Sequence, residues 1–129
     1  MIGILLITHG CYGESLIQNV CHVLNKRLPL IAQLGVAPQD DPLDILPRAR
    51  LLLNEVDGGK GVVVMTDIFG ATPANLALKL LRPGHVEGIS GLSLPMLLRA
   101  LTYRDKGMET ILQKAVSGAH DGVMKLPTP

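Results

Sequence analysis

The chain has few aromatic side chains: Tyr12, Phe69 and Tyr103 are the only ones in 129 residues, and tryptophan is absent. Single-stranded nucleic-acid binding relies on aromatic faces for base stacking, so this scarcity argues against that function class. The core must be built from Leu, Ile, Val, Met and Ala. A dominant charge sign is also missing. There are 12 basic and 11 acidic residues, a net charge of +1, and no long run of like charge. Nothing electrostatic therefore argues for a nucleic-acid or membrane partner. The two cysteines, Cys11 and Cys21, are too few for a disulfide framework. Their spacing fits neither a CxxC redox motif nor a usual zinc pattern, so reduced thiols in a cytoplasmic protein are expected. The N-terminal MIGILLI is apolar, but it lacks a preceding basic region and a following cleavage site, and does not read as a secretion signal. No apolar run approaches the ~18 residues needed to span a bilayer. A soluble, cytoplasmic protein is expected.

A chain of this length suits one domain that buries one real core. Ile2 to Ile7 is a nearly continuous apolar run, as expected of a parallel strand covered on both faces. It stops at Thr8-His9-Gly10. From about Glu14 to Arg27, Leu16, Val20, Val23 and Leu24 recur at helical spacing. Leu30 to Val36 is a second strand candidate. Asp41-Pro42 marks a helix start by a capping carboxylate followed by proline, and Gly58-Gly59 marks that helix's end. Gly61 to Thr66 is the clearest strand and ends at Asp67. Thr72-Pro73 repeats the cap-plus-proline signal, and Pro83-Gly84 breaks the helix it opens. His85 to Gly91 is a weaker strand candidate. Pro95 opens a helix to about Arg104, Asp105 is placed to cap a last helix, and Gly122 to Leu126 reads as a short terminal strand.

Strands alternating with helices predict an α/β fold: a mainly parallel sheet with helices on both faces. Ligands of such sheets bind beyond the carboxyl ends of the strands, where strand order reverses. That rule selects the loops after the first and third strands. If those strands are neighbours, in a flavodoxin-like order, His9 and Asp67 face one crevice. A neutral imidazole can attack a phosphoryl group near neutral pH and later release it. A carboxylate on its other ring nitrogen fixes the tautomer and orientation, and Asp67 is placed in sequence for that role. Helix N-termini after both loops offer backbone amides to an anion. Gly10, Gly13 and Gly70 permit close backbone approach, and Thr72 and Asn75 are candidate side-chain donors. Taken alone, a histidine after a strand is more often structural, and an aspartate there can simply cap a turn. His22, His85 and His120 have no partner identifiable in sequence and read as structural or solvated. No GxGxxG or GxxxxGK[ST] pattern is present, and neither a cofactor nor a metal is expected.

THG after the N-terminal strand, DIFGATPAN after a central strand and GLSLPML further on resemble, in order and spacing, the mannose-type enzyme IIA family of sugar phosphotransferase systems. The resemblance implies that His9 is the phosphoryl acceptor, loaded by the carrier protein HPr, and that Asp67 orients it. Gly10, Gly70 and Thr72 are the expected phosphate-binding positions. A histidine on a IIB component, expected on a separate protein, is the next acceptor. The resemblance also implies a homodimer in which Gly122 to Leu126 pairs antiparallel with the partner's sheet, residues 1–126 forming the single IIA domain and 127–129 a frayed end. Thr72 and Ser93 stand where the family often has serine and asparagine. The phosphocarrier domain of dihydroxyacetone kinases is similar but lacks the GATP-type segment.

Two other functions stay open at this level. A IIA-like protein can act as a phosphorylation sensor without sugar transport, using the same chemistry at His9. Alternatively, Cys11, two residues from His9 and near a helix start, can serve as the nucleophile of a thiol enzyme together with a histidine and Asp67.

Overall fold

A computed structural model describes residues 1–129. Its elements follow in the order β1 (Gly3–His9), α1 (Tyr12–Leu24), β2 (Ile31–Val36), α2 (Pro42–Val56), β3 (Val62–Thr66), α3 (Thr72–Leu78), β4 (Val86–Ser90), α4 (Leu94–Thr102) and α5 (Met108–Asp121). The four strands form one sheet in the order β2-β1-β3-β4, and every pairing is parallel. The first and third strands are therefore neighbours, and strand order reverses between them.

The apolar runs of β1 and β3 are continuous because each strand is buried on both faces, and their residues divide by parity. Ile4, Leu6, Val63 and Met65 pack with Leu16 and Val20 of α1, Met96 and Leu97 of α4, and Ile111 and Ala115 of α5. Leu5, Ile7, Val62 and Val64 pack with Ala49 and Leu53 of α2 and with Leu76 and Ala77 of α3. Burying a side chain of this kind stabilises the fold by about 1.5–3 kcal/mol relative to leaving it exposed. With three helices on one face and two on the other, all the loops after strands gather at one end of the sheet.

Asp41 caps α2 as expected, accepting a hydrogen bond from the Leu43 amide at 2.9 Å, with Pro42 in the first turn. The other two cap expectations are corrected. Ala71, in extended conformation, is the N-cap of α3, so Thr72 is already the first helical residue and makes no capping bond. Gly107, at φ +93°, precedes α5 in place of Asp105; an L residue rarely adopts that conformation, and glycine adopts it without steric cost. Ser93, unassigned by sequence, caps α4 by accepting from the Met96 amide at 3.3 Å.

The terminal strand expected over Gly122 to Leu126 is not formed within the single chain. Gly122 closes α5, and residues 123–129 form no regular structure. The sheet ends at β4, and no strand of the same chain pairs with the tail. Val123, Met124 and Leu126 lie exposed.

A buried guanidinium ties the far end of the molecule together. Arg104 donates to the carbonyls of Ile2, Pro29 and Leu30 at 3.0, 2.8 and 2.7 Å, and its own carbonyl accepts from the Ile2 amide at 3.0 Å. No carboxylate is bonded to it, and burial lowers its pKa from the usual arginine value.

Candidate functional site

The parallel pairing of β1 with β3 carries His9 and Asp67 past the same edge of the sheet. His9 is the last residue of β1. Asp67 directly follows β3. The His9 amide donates to Asp67 Oδ2 at 3.0 Å, and the His9 ring Nδ1 lies 2.9 Å from the same oxygen. Asp67 Oδ1 accepts from the Ile68 amide at 3.0 Å. Backbone and side chain of His9 are thus both tied to one carboxylate, which fixes the ring's position and rotation together.

Burial pushes the Asp67 carboxyl pKa up, but the bonds from the His9 amide and ring and from the residue's own loop outweigh it, and the net direction is down. Asp67 is therefore charged at neutral pH and can only accept hydrogen bonds. The ring nitrogen facing it carries the proton, and in a neutral imidazole Nε2 is left with its lone pair. The His9 side chain is 53% exposed and that of Asp67 only 17%. The orienting group is shielded while the ring it orients is open to a large partner.

The loop around His9 is braced at several points. Gly10 has φ +51°, its amide donates to the Val36 carbonyl at 3.0 Å, and no atom lies within 4 Å of where a Cβ would stand. Thr8 Oγ1 accepts from the Gly13 amide at 2.9 Å in a buried setting, joining the end of β1 to the first turn of α1. The Tyr12 hydroxyl donates to the Leu92 carbonyl at 2.7 Å, joining that same turn to the loop after β4. Leu92 in turn donates its amide to the carbonyl of Thr66, the residue before Asp67, at 2.9 Å.

Of the other predicted site residues, Gly70 has φ +88° with open space around it. Thr72 is half-buried and Asn75 exposed, both in α3. Gly13 is buried with its amide already engaged. Cys11 is an exposed free thiol at the N-cap position of α1. An apolar groove of about 170 Å³ opens beside the site, with Thr66, Phe69, Leu78 and Ile89 among its lining residues. No cluster of three His, Cys, Asp or Glu side chains is placed to hold a metal ion. No helix is long and apolar enough to cross a membrane.

Two interactions escaped the sequence. Tyr12 bonds to a residue 80 positions away, a partner that only the topology identifies. His85, taken as lacking a partner, has its Nε2 2.6 Å from Asp57 Oδ2. Asp57 ends α2 and His85 precedes β4, two neighbouring positions in a β2-β1-β3-β4 order that spacing alone does not give.

Residues 3–116 match the family model EIIA-man, described as the PTS system fructose IIA component. Among curated relatives, the PTS system mannose-specific EIIAB components of Escherichia coli K12 and Shigella flexneri are each 27% identical over 128 residues. The match covers 97% of this chain and 39% of each relative, so the chain spans well under half their length. Among solved structures, the mannose/sorbose-specific IIA subunit from Enterococcus faecalis superposes with a TM-score of 0.86 at 18% identity, covering 99% of this chain and 96% of that one. The phosphotransferase system component EIIA from Streptococcus agalactiae gives 0.82 at 22% identity, covering 97% of both chains. These two structural likenesses establish a shared fold. The family match, spread over most of the chain, goes further: this protein belongs to the EIIA-man family of phosphotransferase-system IIA components.

Proposed function

We propose that His9 accepts a phosphoryl group on Nε2 from phosphorylated HPr and hands it to a IIB component. The observation that carries this reading is the 2.9 Å contact between His9 Nδ1 and Asp67, which in the neutral ring places the proton on Nδ1 and the lone pair on Nε2 of a half-exposed side chain. In the acceptance step, the Nε2 lone pair forms the bond to phosphorus while the donor's bond to phosphorus breaks and its electron pair leaves with the donor. Nδ1 keeps its proton, and the positive charge gained by the ring is stabilised by the Asp67 carboxylate. Transfer to IIB is the same step in reverse, with a new acceptor. Such chemistry depends mainly on positioning and charge stabilisation. The Gly70 backbone and the Thr72 hydroxyl are the groups we assign to the phosphoryl oxygens, while Gly10, whose amide is engaged by Val36, leaves open space for the group to approach.

The same reading includes a homodimer in the cytoplasm. It is supported by an unpaired β4 edge next to a C-terminal tail whose apolar side chains are exposed. A second chain offers both elements their missing partner.

The deciding experiment is intact-protein mass after incubation with phosphoenolpyruvate, enzyme I and HPr, with His9→Ala alongside. A gain of one phosphoryl mass, acid-labile and absent from the variant, is expected. A folded, dimer-competent protein that gains nothing beside a working control, or a variant that is loaded at the full rate, overturns the proposal.

A further inference from the structure

We infer that Tyr12 is a positioning residue for His9, acting through its hydroxyl as a strut between the histidine loop and the loop that follows β4. The inference rests on the reading of His9 as phosphoryl acceptor.

Within the segment His9-Gly10-Cys11, His9 is held by Asp67 through its amide and its ring, and the two residues after it have fewer ties. Gly10 sits in the left-handed region with open space where a side chain would stand, and Cys11 makes no side-chain capping bond. The segment's other fixed points lie at the margins. The Gly10 amide is bound to Val36 on the β2 side, and Thr8 Oγ1 holds Gly13 from below. Tyr12 is the side chain that reaches the other way, over the α1 and α4 face to the Leu92 carbonyl.

Leu92 is a rigid anchor. It is 4% exposed, its amide is bonded to Thr66, and Ser93 immediately after it caps α4. The chain of contacts therefore runs from Tyr12 through the Leu92 peptide to Thr66, one residue before Asp67. Both members of the His9–Asp67 pair are referred to the same peptide. If the hydroxyl is lost, the carboxylate keeps its place while the first turn of α1 gains freedom, and with it the residue three positions earlier. Tyr12 is 40% exposed, so the ring contributes little to the core, and its removal is expected to be felt at the site before it is felt in stability.

The test compares wild type, Tyr12→Phe and Tyr12→Leu. The rate of phosphoryl acceptance is followed at varied concentrations of HPr, kept phosphorylated by phosphoenolpyruvate and enzyme I. The imidazole 15N signals of His9 are recorded in the unphosphorylated proteins. We expect Tyr12→Phe to lower kcat about three- to tenfold, the factor carried by one net hydrogen bond, with KM for the donor unchanged. The thermal midpoint should stay within a few degrees of wild type, and the His9 ring signals should broaden or shift while those of His22, His85 and His120 do not. Equal kcat and unchanged His9 signals in Tyr12→Phe, with a loss only in Tyr12→Leu, would mean that the ring and not the hydroxyl acts, and would overturn the inference. A wild-type protein that accepts no phosphate removes the acceptor reading instead. The His9 signals of the variants then still decide whether Tyr12 positions the ring.

Discussion

His85 Nε2 stands 2.6 Å from Asp57 Oδ2, at the opposite end of the parallel sheet from His9 and Asp67, so the sheet carries a histidine–aspartate pair at each end. The two pairs differ in their surroundings. Asp57 Oδ1 also accepts from the amides of Gly59 and Gly61, and its partner His85 is fixed in a turn through backbone bonds to Arg82 and Val62. That is a structural clasp between the starts of β3 and β4.

The clasp has a predicted acid signature. The bond from His85 above all holds the Asp57 carboxyl below its ordinary range; burial works against this, and the Gly59 and Gly61 amides reinforce it. A carboxylate with a lowered folded pKa contributes stability that is complete above its unfolded value of about 3.9 and is lost as pH falls through the lower folded value. Asp57→Asn is expected to cost about 1–2 kcal/mol at neutral pH and to flatten the loss of stability below about pH 4. Urea midpoints measured from pH 3 to pH 7 check both.

At the other pair the expected loss is in rate. Asp67→Asn keeps the shape of the orienting group but removes its charge and its preference for a protonated Nδ1. Phosphoryl acceptance should fall roughly 10- to 1000-fold, read by quenched-flow mass spectrometry. Because the Asp67 pKa is lowered, the wild-type carboxylate should stay charged across pH 5–8, and no change in rate there should trace to its titration.

Two glycines separate stability from site geometry. A Cβ at Gly35 would overlap the Gly10 carbonyl oxygen, and one at Gly3 would overlap the Val56 carbonyl oxygen. Each alanine variant is expected to lose about 1–3 kcal/mol. Only Gly35→Ala pushes on the residue next to His9, so it alone should slow transfer per folded molecule. Thermal melts paired with single-turnover rates test this.

Arg104→Met is expected to destabilise by about 2–4 kcal/mol, because the Pro29 and Ile2 carbonyls lose their charged donor inside the fold. Arg104→Lys should recover only part, since an ammonium cannot span three carbonyls as a guanidinium fork does. Chemical denaturation of the three proteins ranks them.

Removing residues 123–129 should leave α5 capped by Gly122 and the monomer fold intact. In the proposed dimer, the truncated chain should sediment as a monomer at concentrations where the full chain is dimeric. An unchanged sedimentation coefficient would place the dimer contact elsewhere or show that there is none.

Much of this molecule could be read in advance because its signals are local. Continuous apolar runs that end in Thr8-His9 and in Thr66-Asp67 mark strands buried on both faces, and the rule for parallel sheets then turns two strand ends into one crevice. Asp41-Pro42 worked for the same reason: both cap and proline act within one turn. Thr72 failed although it looks alike, because Ala71 can adopt the extended N-cap conformation and the helix starts one residue earlier. Asp105 failed because the N-cap lies two residues beyond it, at Gly107, whose positive φ an aspartate signal does not encode. Gly122 to Leu126 has strand-like composition but no strand beside it in its own chain. The His85–Asp57 and Tyr12–Leu92 bonds were invisible because their partners are brought together by strand order, across separations of 28 and 80 residues.

The shortage of aromatic residues has a practical side. With no tryptophan, ultraviolet emission comes from Tyr12 and Tyr103 alone. Tyr103 lies at the other end of α4 from Leu92, with Lys114 Nζ 5.1 Å from its ring centre. A Tyr103→Phe protein would therefore keep one native fluorophore, three residues from His9 and hydrogen-bonded across the crevice, and changes at the histidine could be followed optically without any label.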